Sequence, residues 1–224
     1  MKRSKLAIQG VVKFLFGLLF VGVLLFLPAG GLQYVNGWLF IGLLFAPILL
    51  LGIVMLIKAP ELLEKRLNAK EKENTQKGVV AISGLMFLAG FVVAGLDHRF
   101  GWSQMPLWVV IAASAILLIS YGLYAEVMRE NAYLSRTIEV QEGQKVVDTG
   151  LYGIVRHPMY AVTVWMFLSI PLVLGSWWSL LCFAPYPFLM AVRIQNEEKV
   201  LAQGLEGYSD YKKRVKYRLI PLIW

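Results

Sequence analysis

Long apolar runs constrain the fold of this chain more than any other feature. A helix crosses the hydrocarbon core of a bilayer with about 20 apolar residues, and most of the runs approach or reach that length. Hydrophobic residues make up 58% of the chain and charged residues only 16%, which lies outside the range of soluble globular proteins. We therefore predict an all-α fold, a polytopic membrane helical bundle of about six transmembrane segments with a cytoplasmic C-terminal helical tail. The predicted spans are residues 11–27, 38–57, 78–96, 106–128, 158–174 and 176–192.

The last two spans are short, carry proline, and are joined only by Gly175 and Ser176, which predicts a tight hairpin. Pro171 lies in one of them, and Pro185 and Pro187 lie in the other. Proline removes a backbone donor, and irregular backbone at membrane depth must be covered by protein or line a cavity. This hairpin is therefore the predicted place for a cavity.

Charge predicts the orientation of the bundle. The formal net charge is +8, and with the N-terminus inside, the Lys and Arg residues fall on the inner side apart from Arg99. We therefore expect an integral membrane protein with cytoplasmic N- and C-termini, in the inner membrane if the source is bacterial. Membrane lipid is the expected partner of this charge. No basic pattern interleaved with aromatic residues indicates nucleic-acid binding.

Two further segments allow more than one interpretation. Residues 58–77 are charged, with Leu62, Leu63 and Leu67 on one side, and fit either a short helix on the membrane surface or a solvated loop. The basic start before the first span also resembles a signal peptide, but we interpret it as a retained first span because more spans follow.

Cysteine and histidine exclude two kinds of site. Cys182 is the single cysteine, so no internal disulfide can form. His98 and His157 are the two histidines and lie at predicted opposite membrane faces. We therefore predict no metal site.

The first polar block that suggests chemistry is residues 150–160, GLYGIVRHPMY. Pro158 fits the first turn of a helix, which places Arg156 and His157 at a helix N-terminus on the membrane surface. Unpaired N–H groups and the helix dipole attract an anion there, and Arg156 adds a fixed charge. Tyr160, three residues after His157, lies on the same helical side.

The second polar block follows the hairpin and runs from Arg193 to Trp224. Glu197 lies one helical turn after Arg193, and Glu198 points about 100° away from Glu197, so at most one of the two glutamates is central to a site. Tyr208 and Tyr211 are spaced for one side of a helix, and Arg214 and Arg218 are again four residues apart. Polar groups on both sides of a membrane hairpin predict a pocket for a polar molecule at the interface.

Together these segments resemble a known family. RHPMY, an apolar hairpin, EExxL, YxxYxxRV and RLIP follow in the order and spacing of the isoprenylcysteine carboxyl methyltransferase and phospholipid methyltransferase family. The resemblance covers about the last hundred residues. It implies an integral membrane enzyme that uses S-adenosylmethionine to methylate a lipophilic acceptor, with RHPxY and the paired glutamates as cofactor contacts. The interval from Glu198 to Tyr208 is one residue shorter than in the prenylcysteine enzymes, which bears on substrate subtype.

The resemblance and the chemistry of the cofactor assign roles to residues. The cofactor carboxylate needs cations or a helix N-terminus, its amino and ribose groups need carboxylates, and its adenine needs an apolar or aromatic slot. We assign cofactor binding to Tyr152, Arg156, His157, Pro158, Tyr160, Glu198, Leu201 and Tyr208. We assign catalysis to Arg193 and Glu197, and substrate binding to Glu126 and Asn131. The purely structural alternatives are that Arg156 anchors a helix to lipid phosphate, that His157 packs in the core or caps a helix, and that the glutamates form a solvated face.

The sequence favours one structural unit with two parts, a scaffold of four spans in residues 1–128 and a methyltransferase core in residues 129–224. The acceptor, a prenylcysteine-like carboxylate or a lipid amine or thiol, and the oligomeric state stay open. Two rival functions are an NADPH-dependent membrane reductase on the same scaffold and a non-catalytic membrane protein. The absence of a G-x-G-x-x-G segment argues against a soluble Rossmann-type enzyme.

Overall fold

The protein is helical throughout the part of the chain that the computed structural model describes, which is residues 3–68, 74–134 and 140–224. No β-strand occurs among these residues. A single 3₁₀ turn, Gly150–Gly153, precedes α6. The α-helices in chain order are α1 Arg3–Ala29, α2 Val35–Lys58, α3 Pro60–Asn68, α4 Asn74–Phe100, α5 Leu107–Glu130, α6 Pro158–Val173, α7 Trp177–Phe183, α8 Tyr186–Gly204 and α9 Tyr208–Arg214.

The long helices confirm the predicted polytopic helical bundle. Within the described ranges, five segments are long and apolar enough to cross a membrane: α1, α2, most of α4, α5, and α7 together with α8. The predicted fifth span is the shorter apolar helix α6, which has 16 residues. The described part of the chain thus crosses the bundle six times, and five of these crossings are long enough to span a membrane.

The crossings alternate between two ends of the bundle. Helices α1 and α4 run side by side in the same direction, and they approach so closely that a Cβ on Gly95 would lie 2.5 Å from the carbonyl oxygen of Leu25. The hydrophobic core is continuous between the two halves of the chain, since Leu25 and Phe40 share one cluster with Ile170 and Phe183. The end at which α6 begins is called the cleft end below, and the opposite end is called the far end.

Buried polar contacts join the helices at the far end. Tyr34 donates a hydrogen bond to the carbonyl of Leu174 at 2.5 Å. The Asp97 carboxylate accepts from the backbone N–H of Ser103 at 2.7 Å and from the hydroxyl of Ser176. Because Asp97 lies in the last turn of α4 and Ser176 caps α7, these bonds join the last two crossings to the scaffold helices.

The hairpin differs from the prediction in one respect. The predicted span of residues 176–192 is two helices, because α7 ends at Phe183 and α8 begins after Pro185. Pro187 also lies in the first turn of α8, where its missing N–H costs nothing. Helix α8 then continues to Gly204 with Arg193 and Glu198 buried, so the second polar block is the continuation of the last crossing.

The charged segment after α2 is helical where the structure describes it. Helix α3 covers Pro60–Asn68, and α4 begins at Asn74, four residues before the predicted third span. Residues 69–73 of the predicted surface segment lie outside the described residues. Pro47 and Pro171 lie within α2 and α6, and both helices continue past them.

Candidate functional site

A cleft of about 820 Å³ opens at the cleft end of the bundle. This volume includes the open solvent at the mouth of the cleft. Its walls are the first turn of α6, the second half of α8, α9 and the polar segment that follows α5. Met159, Leu201 and Leu205 supply apolar surface. The charged residues that line the cleft are Lys145, Arg156 and Glu197.

The start of α6 is fixed by the C-terminal tail. His157 is the N-cap residue of α6 and Pro158 is its first residue, as predicted. The backbone N–H of Arg156 donates to the carbonyl of Tyr217, and that of His157 donates to the carbonyl of Arg218, both at 2.9 Å. The tail therefore holds the backbone that presents Arg156 and His157.

A buried ion pair lies behind this turn. The Nε of Arg156 donates to Oε1 of Glu198 at 2.7 Å, and the two side chains are 6% and 4% exposed. Nη1 of Arg156 donates to the carbonyls of Val215 and Lys216 at 2.6 and 2.9 Å. A buried pair is stable only if its remaining donors and acceptors are also satisfied, and here the tail carbonyls satisfy them.

The other oxygen of Glu198 faces two more cations. Arg218 donates to Oε2 at 3.0 Å, and the Lys212 ammonium lies 3.8 Å away. Glu198 does not line the cleft. The carboxylate therefore positions Arg156 and His157 from behind.

Glu197 faces the opposite way and lines the cleft. Its Oε2 accepts a hydrogen bond from the Tyr160 hydroxyl at 2.6 Å. The Tyr160 oxygen in turn accepts from Nε of Arg193 at 3.0 Å. Arg193 is buried outside the cleft wall, so it acts on Glu197 through Tyr160.

Tyr152 is held in the wall by two partners. Its hydroxyl accepts from Nδ2 of Asn131 at 3.0 Å, and its carbonyl accepts from the hydroxyl of Tyr211 at 2.8 Å. Just before it, Gly150 has a φ of +53°, and a Cβ there would overlap the Glu130 carboxylate. That carboxylate accepts from the N–H of the next residue at 3.0 Å and so fixes the 3₁₀ turn.

Two buried polar atoms at the cleft have no hydrogen-bond partner among the described residues. They are Nε2 of His157 and the hydroxyl of Tyr208. Nε2 lies 3.4 Å from Oε1 of Glu198 without the alignment of a hydrogen bond. Burial, and then the nearby Glu198 carboxylate, raise the pKa of Tyr208 well above its ordinary value, so its hydroxyl stays a neutral donor. Nε2 of His157 thus faces the carboxylate behind the wall. Buried polar atoms are normally satisfied, so the Tyr208 hydroxyl is the atom open to a polar ligand.

The structure brings most of the predicted site residues to one place. Those that line the cleft are Asn131, Tyr152, Arg156, His157, Tyr160, Glu197, Leu201 and Tyr208. Pro158, Arg193 and Glu198 lie immediately behind the lining. Glu126 is not brought to the cleft, and it pairs with Arg129 on an exposed part of α5 at 2.6 Å.

Some residues of the site were not predicted. Arg218 holds Glu198, and Tyr211 and Lys145 line the cleft. Arg218 stands in the RLIP segment, so the motif itself was a signal. The spacing of four residues to Arg214 suggested one helical face, but α9 ends at Arg214. Arg214 pairs instead with Asp148 at 2.7 Å, away from Arg218.

The described residues contain no group of three or more metal-ligating side chains that could hold a metal ion. Arg156 and His157 lie at the start of α6, the Glu197 carboxylate lies on α8, and apolar side chains complete the wall. The arrangement can therefore bind a small molecule that has both an anionic and a cationic group next to an apolar body.

Comparison with known proteins places part of the chain in a sequence family. Residues 108–206 match the phospholipid methyltransferase family. The matched stretch includes α5, α6, α7 and α8, and so contains both polar blocks up to the end of α8.

Three relatives are similar over longer or shorter stretches. The uncharacterized protein YpbQ of Bacillus subtilis (strain 168) is 26% identical over 165 residues, which cover 69% of this chain and 96% of the relative. A Delta(14)-sterol reductase of Methylotuvimicrobium alcaliphilum is 24% identical over 54% of this chain. The Delta(14)-sterol reductase TM7SF2 of Mus musculus is 31% identical over 39% of this chain.

The two reductases are much longer proteins, and the matches span 32% and 22% of their lengths. They are distant relatives on a similar scaffold and do not favour a reductase over a methyltransferase. The segments that form the cleft are the ones that carry the resemblance described above. Over residues 108–206 the chain has the sequence pattern of the phospholipid methyltransferase family, consistent with the wider isoprenylcysteine and phospholipid methyltransferase group.

Proposed function

We propose that this protein is a membrane methyltransferase that uses S-adenosylmethionine to methylate a lipophilic acceptor. The observation that carries the proposal is the cleft in which both family segments meet and in which the hydroxyl of Tyr208 is buried without a hydrogen-bond partner among the described residues. The family match supports the reaction class.

The cleft fits the chemical groups of this cofactor. His157, the backbone start of α6 and Arg156 would face the amino-acid carboxylate, because a helix N-terminus with adjacent cations attracts an anion. Glu197 would face the amino group or the ribose hydroxyls. Leu201, Tyr160 and Tyr208 would enclose the adenine. Pro158, Tyr152 and Glu198 would act by fixing these side chains in place.

Bound S-adenosylmethionine supplies an activated methyl group, which an acceptor lone pair takes as the sulfonium becomes a neutral thioether. The residues of this chain align the two reactants and exclude water, which together supply a large share of the rate enhancement of such displacements. Glu197 is the carboxylate placed to receive a proton where the acceptor is a lipid amine or thiol. Arg193 acts as a positioning residue behind Tyr160.

The acceptor would enter from the bilayer. The cleft lies at one end of the bundle, where we expect the membrane surface, and Met159 and Leu205 give it an apolar wall. We propose a cytoplasmic location for this end because of the charge bias described above. Asn131 lies at the rim of the cleft and is placed for contact with the acceptor, whereas Glu126 would require an acceptor that extends along α5.

The test is calorimetric titration of detergent-purified protein with S-adenosylhomocysteine and, in parallel, with NADPH. We expect S-adenosylhomocysteine alone to bind. A labelled methyl donor would then report the acceptor in a screen of membrane lipids and prenylated acids. Binding of NADPH alone would favour the reductase, for which the two sterol reductase relatives are the supporting observation. Binding of neither ligand to folded protein would favour a non-catalytic role.

A further inference from the structure

We propose that Gln76, in the N-terminal scaffold, is a positioning residue for the cleft carboxylate Glu197. The inference rests on the proposed function, since the effect on Glu197 is measured through ligand binding. Gln76 lies at the start of α4, outside both polar blocks and outside the stretch that matches the family. No sequence motif connects Gln76 with the site, and the connection is seen only in the structure.

The contact is the first of three consecutive hydrogen bonds. Oε1 of Gln76 accepts from Nη1 of Arg193 at 2.9 Å. Nε of Arg193 donates to the Tyr160 oxygen at 3.0 Å, and the Tyr160 hydroxyl donates to Glu197 at 2.6 Å. Gln76 is fully buried, and Tyr160 and Arg193 are 6% and 8% exposed. The series of hydrogen bonds therefore runs through the protein interior and ends at the Glu197 carboxylate in the cleft wall.

The direction of each bond is fixed by the chemistry of the groups. Arginine has donors only, so Gln76 must turn its carbonyl oxygen toward Arg193, and Tyr160 must accept from Arg193. The Tyr160 proton is then available only to Glu197. The Arg193 guanidinium also lies 5.8 Å from the centre of the Tyr160 ring, which adds a cation–π contact to the same alignment.

Glu197 is the member of the chain that needs this support. Its carboxylate lies on a half-buried wall, and a long side chain there has several rotamers without a fixed partner. The bond from Tyr160 selects one of them, and networks of this kind are stabilised cooperatively when each member is satisfied. Gln76 thus contributes to the site by holding Arg193 in the rotamer that reaches Tyr160.

The experiment is a double-mutant cycle between Gln76→Met and Tyr160→Phe, read by calorimetric titration with S-adenosylhomocysteine. Methionine keeps the length of glutamine and removes the acceptor. We expect Gln76→Met to weaken binding about fivefold in the wild-type background, the size expected for one hydrogen bond in a buried network. In the Tyr160→Phe background the same substitution should change affinity less than about twofold, because the connection to Glu197 is already broken. A purely structural role of Gln76 would give the same loss in both backgrounds and would overturn the inference.

Two further variants keep the test decisive if Gln76→Met folds poorly. Gln76→Asn keeps the amide but shortens the side chain by one methylene, so it should also weaken binding. Gln76→Glu keeps an acceptor opposite Arg193, so it should bind S-adenosylhomocysteine as the wild type does. Ser83→Ala, two turns along the same face of α4, is the matched control and should bind as the wild type does. If wild-type protein does not bind S-adenosylhomocysteine, the proposed function fails and this inference fails with it. If wild-type protein binds and Gln76→Met and Gln76→Asn bind equally well, only the inference about Gln76 is wrong.

Discussion

Glu197 and Glu198 are adjacent in the chain and face different partners. On a helix, consecutive side chains diverge by about 100°, so α8 can turn one carboxylate to the cleft and the other to the tail. Glu197 meets a neutral hydroxyl, while Glu198 meets Arg156 and Arg218. This rotation of about 100° thus separates a carboxylate that is available to a ligand from a carboxylate whose oxygens hold the site together.

Tyr208 and Tyr211 provide a matched test of which hydroxyl serves a ligand. Tyr208→Phe removes a buried hydroxyl that has no partner among the described residues, so it should leave the unfolding midpoint unchanged or raise it slightly. Its affinity for S-adenosylhomocysteine should fall about three- to tenfold, the cost of one lost hydrogen bond. Tyr211→Phe removes the bond to the Tyr152 carbonyl and should cost about 1 kcal/mol of stability. If the ligand lay elsewhere, titration of Tyr208→Phe would give the wild-type affinity, while thermal unfolding in detergent would still show the stability loss of Tyr211→Phe.

At the scale of elements, apolar composition predicts helices better than it predicts where they end. Helices α1, α2, α4 and α5 were found from their apolar runs because lipid requires both length and hydrophobicity. The sixth apolar span was predicted to end near residue 192, where hydropathy falls, and α8 continues to Gly204 with Arg193 and Glu198 buried. The pairing of Arg218 with Glu198 could not be predicted from spacing, since a turn and α9 lie between them.

The role of the C-terminal tail can be tested with two of its arginines. Arg218 is the test residue, and Arg214 is the control. Arg218→Gln breaks a charged contact to a carboxylate that is only 4% exposed, and should lower stability by about 1.5–3 kcal/mol and weaken ligand binding. Arg214→Gln breaks an exposed pair with Asp148 and should change stability by less than about 1 kcal/mol. Equal unfolding midpoints for the two variants would show that the tail does not hold the site through Glu198.

At the scale of the whole molecule, six crossings place the two termini at the same end as the cleft. The predicted orientation puts that end in the cytoplasm, because the basic residues concentrate there. The far end carries Tyr34, Asp97 and His98. The alternation of the helices agrees with termini at one end of the bundle, and the side of the membrane that this end faces stays a prediction from charge.

Cysteine labelling in intact cells tests the orientation. In a Cys182→Ser background, Gln104→Cys at the far end should react with a membrane-impermeant maleimide from outside. Glu206→Cys, exposed at the cleft end, should react only after the membrane is permeabilised. The reverse pattern would place the cleft outside the cytoplasm. Such a location would remove the proposed methyl donor from reach.

Helix α6 is the shortest crossing, and its length affects the surrounding lipid. Sixteen residues rise about 24 Å, whereas the hydrocarbon core is about 30 Å thick. A bilayer adapts to such a mismatch by thinning locally. The leaflet would dip around Pro158, so the mouth of the cleft would lie level with the first acyl carbons. An acceptor would then need to lift only its reactive end out of the hydrocarbon, and a thicker, sterol-rich bilayer would make that step harder.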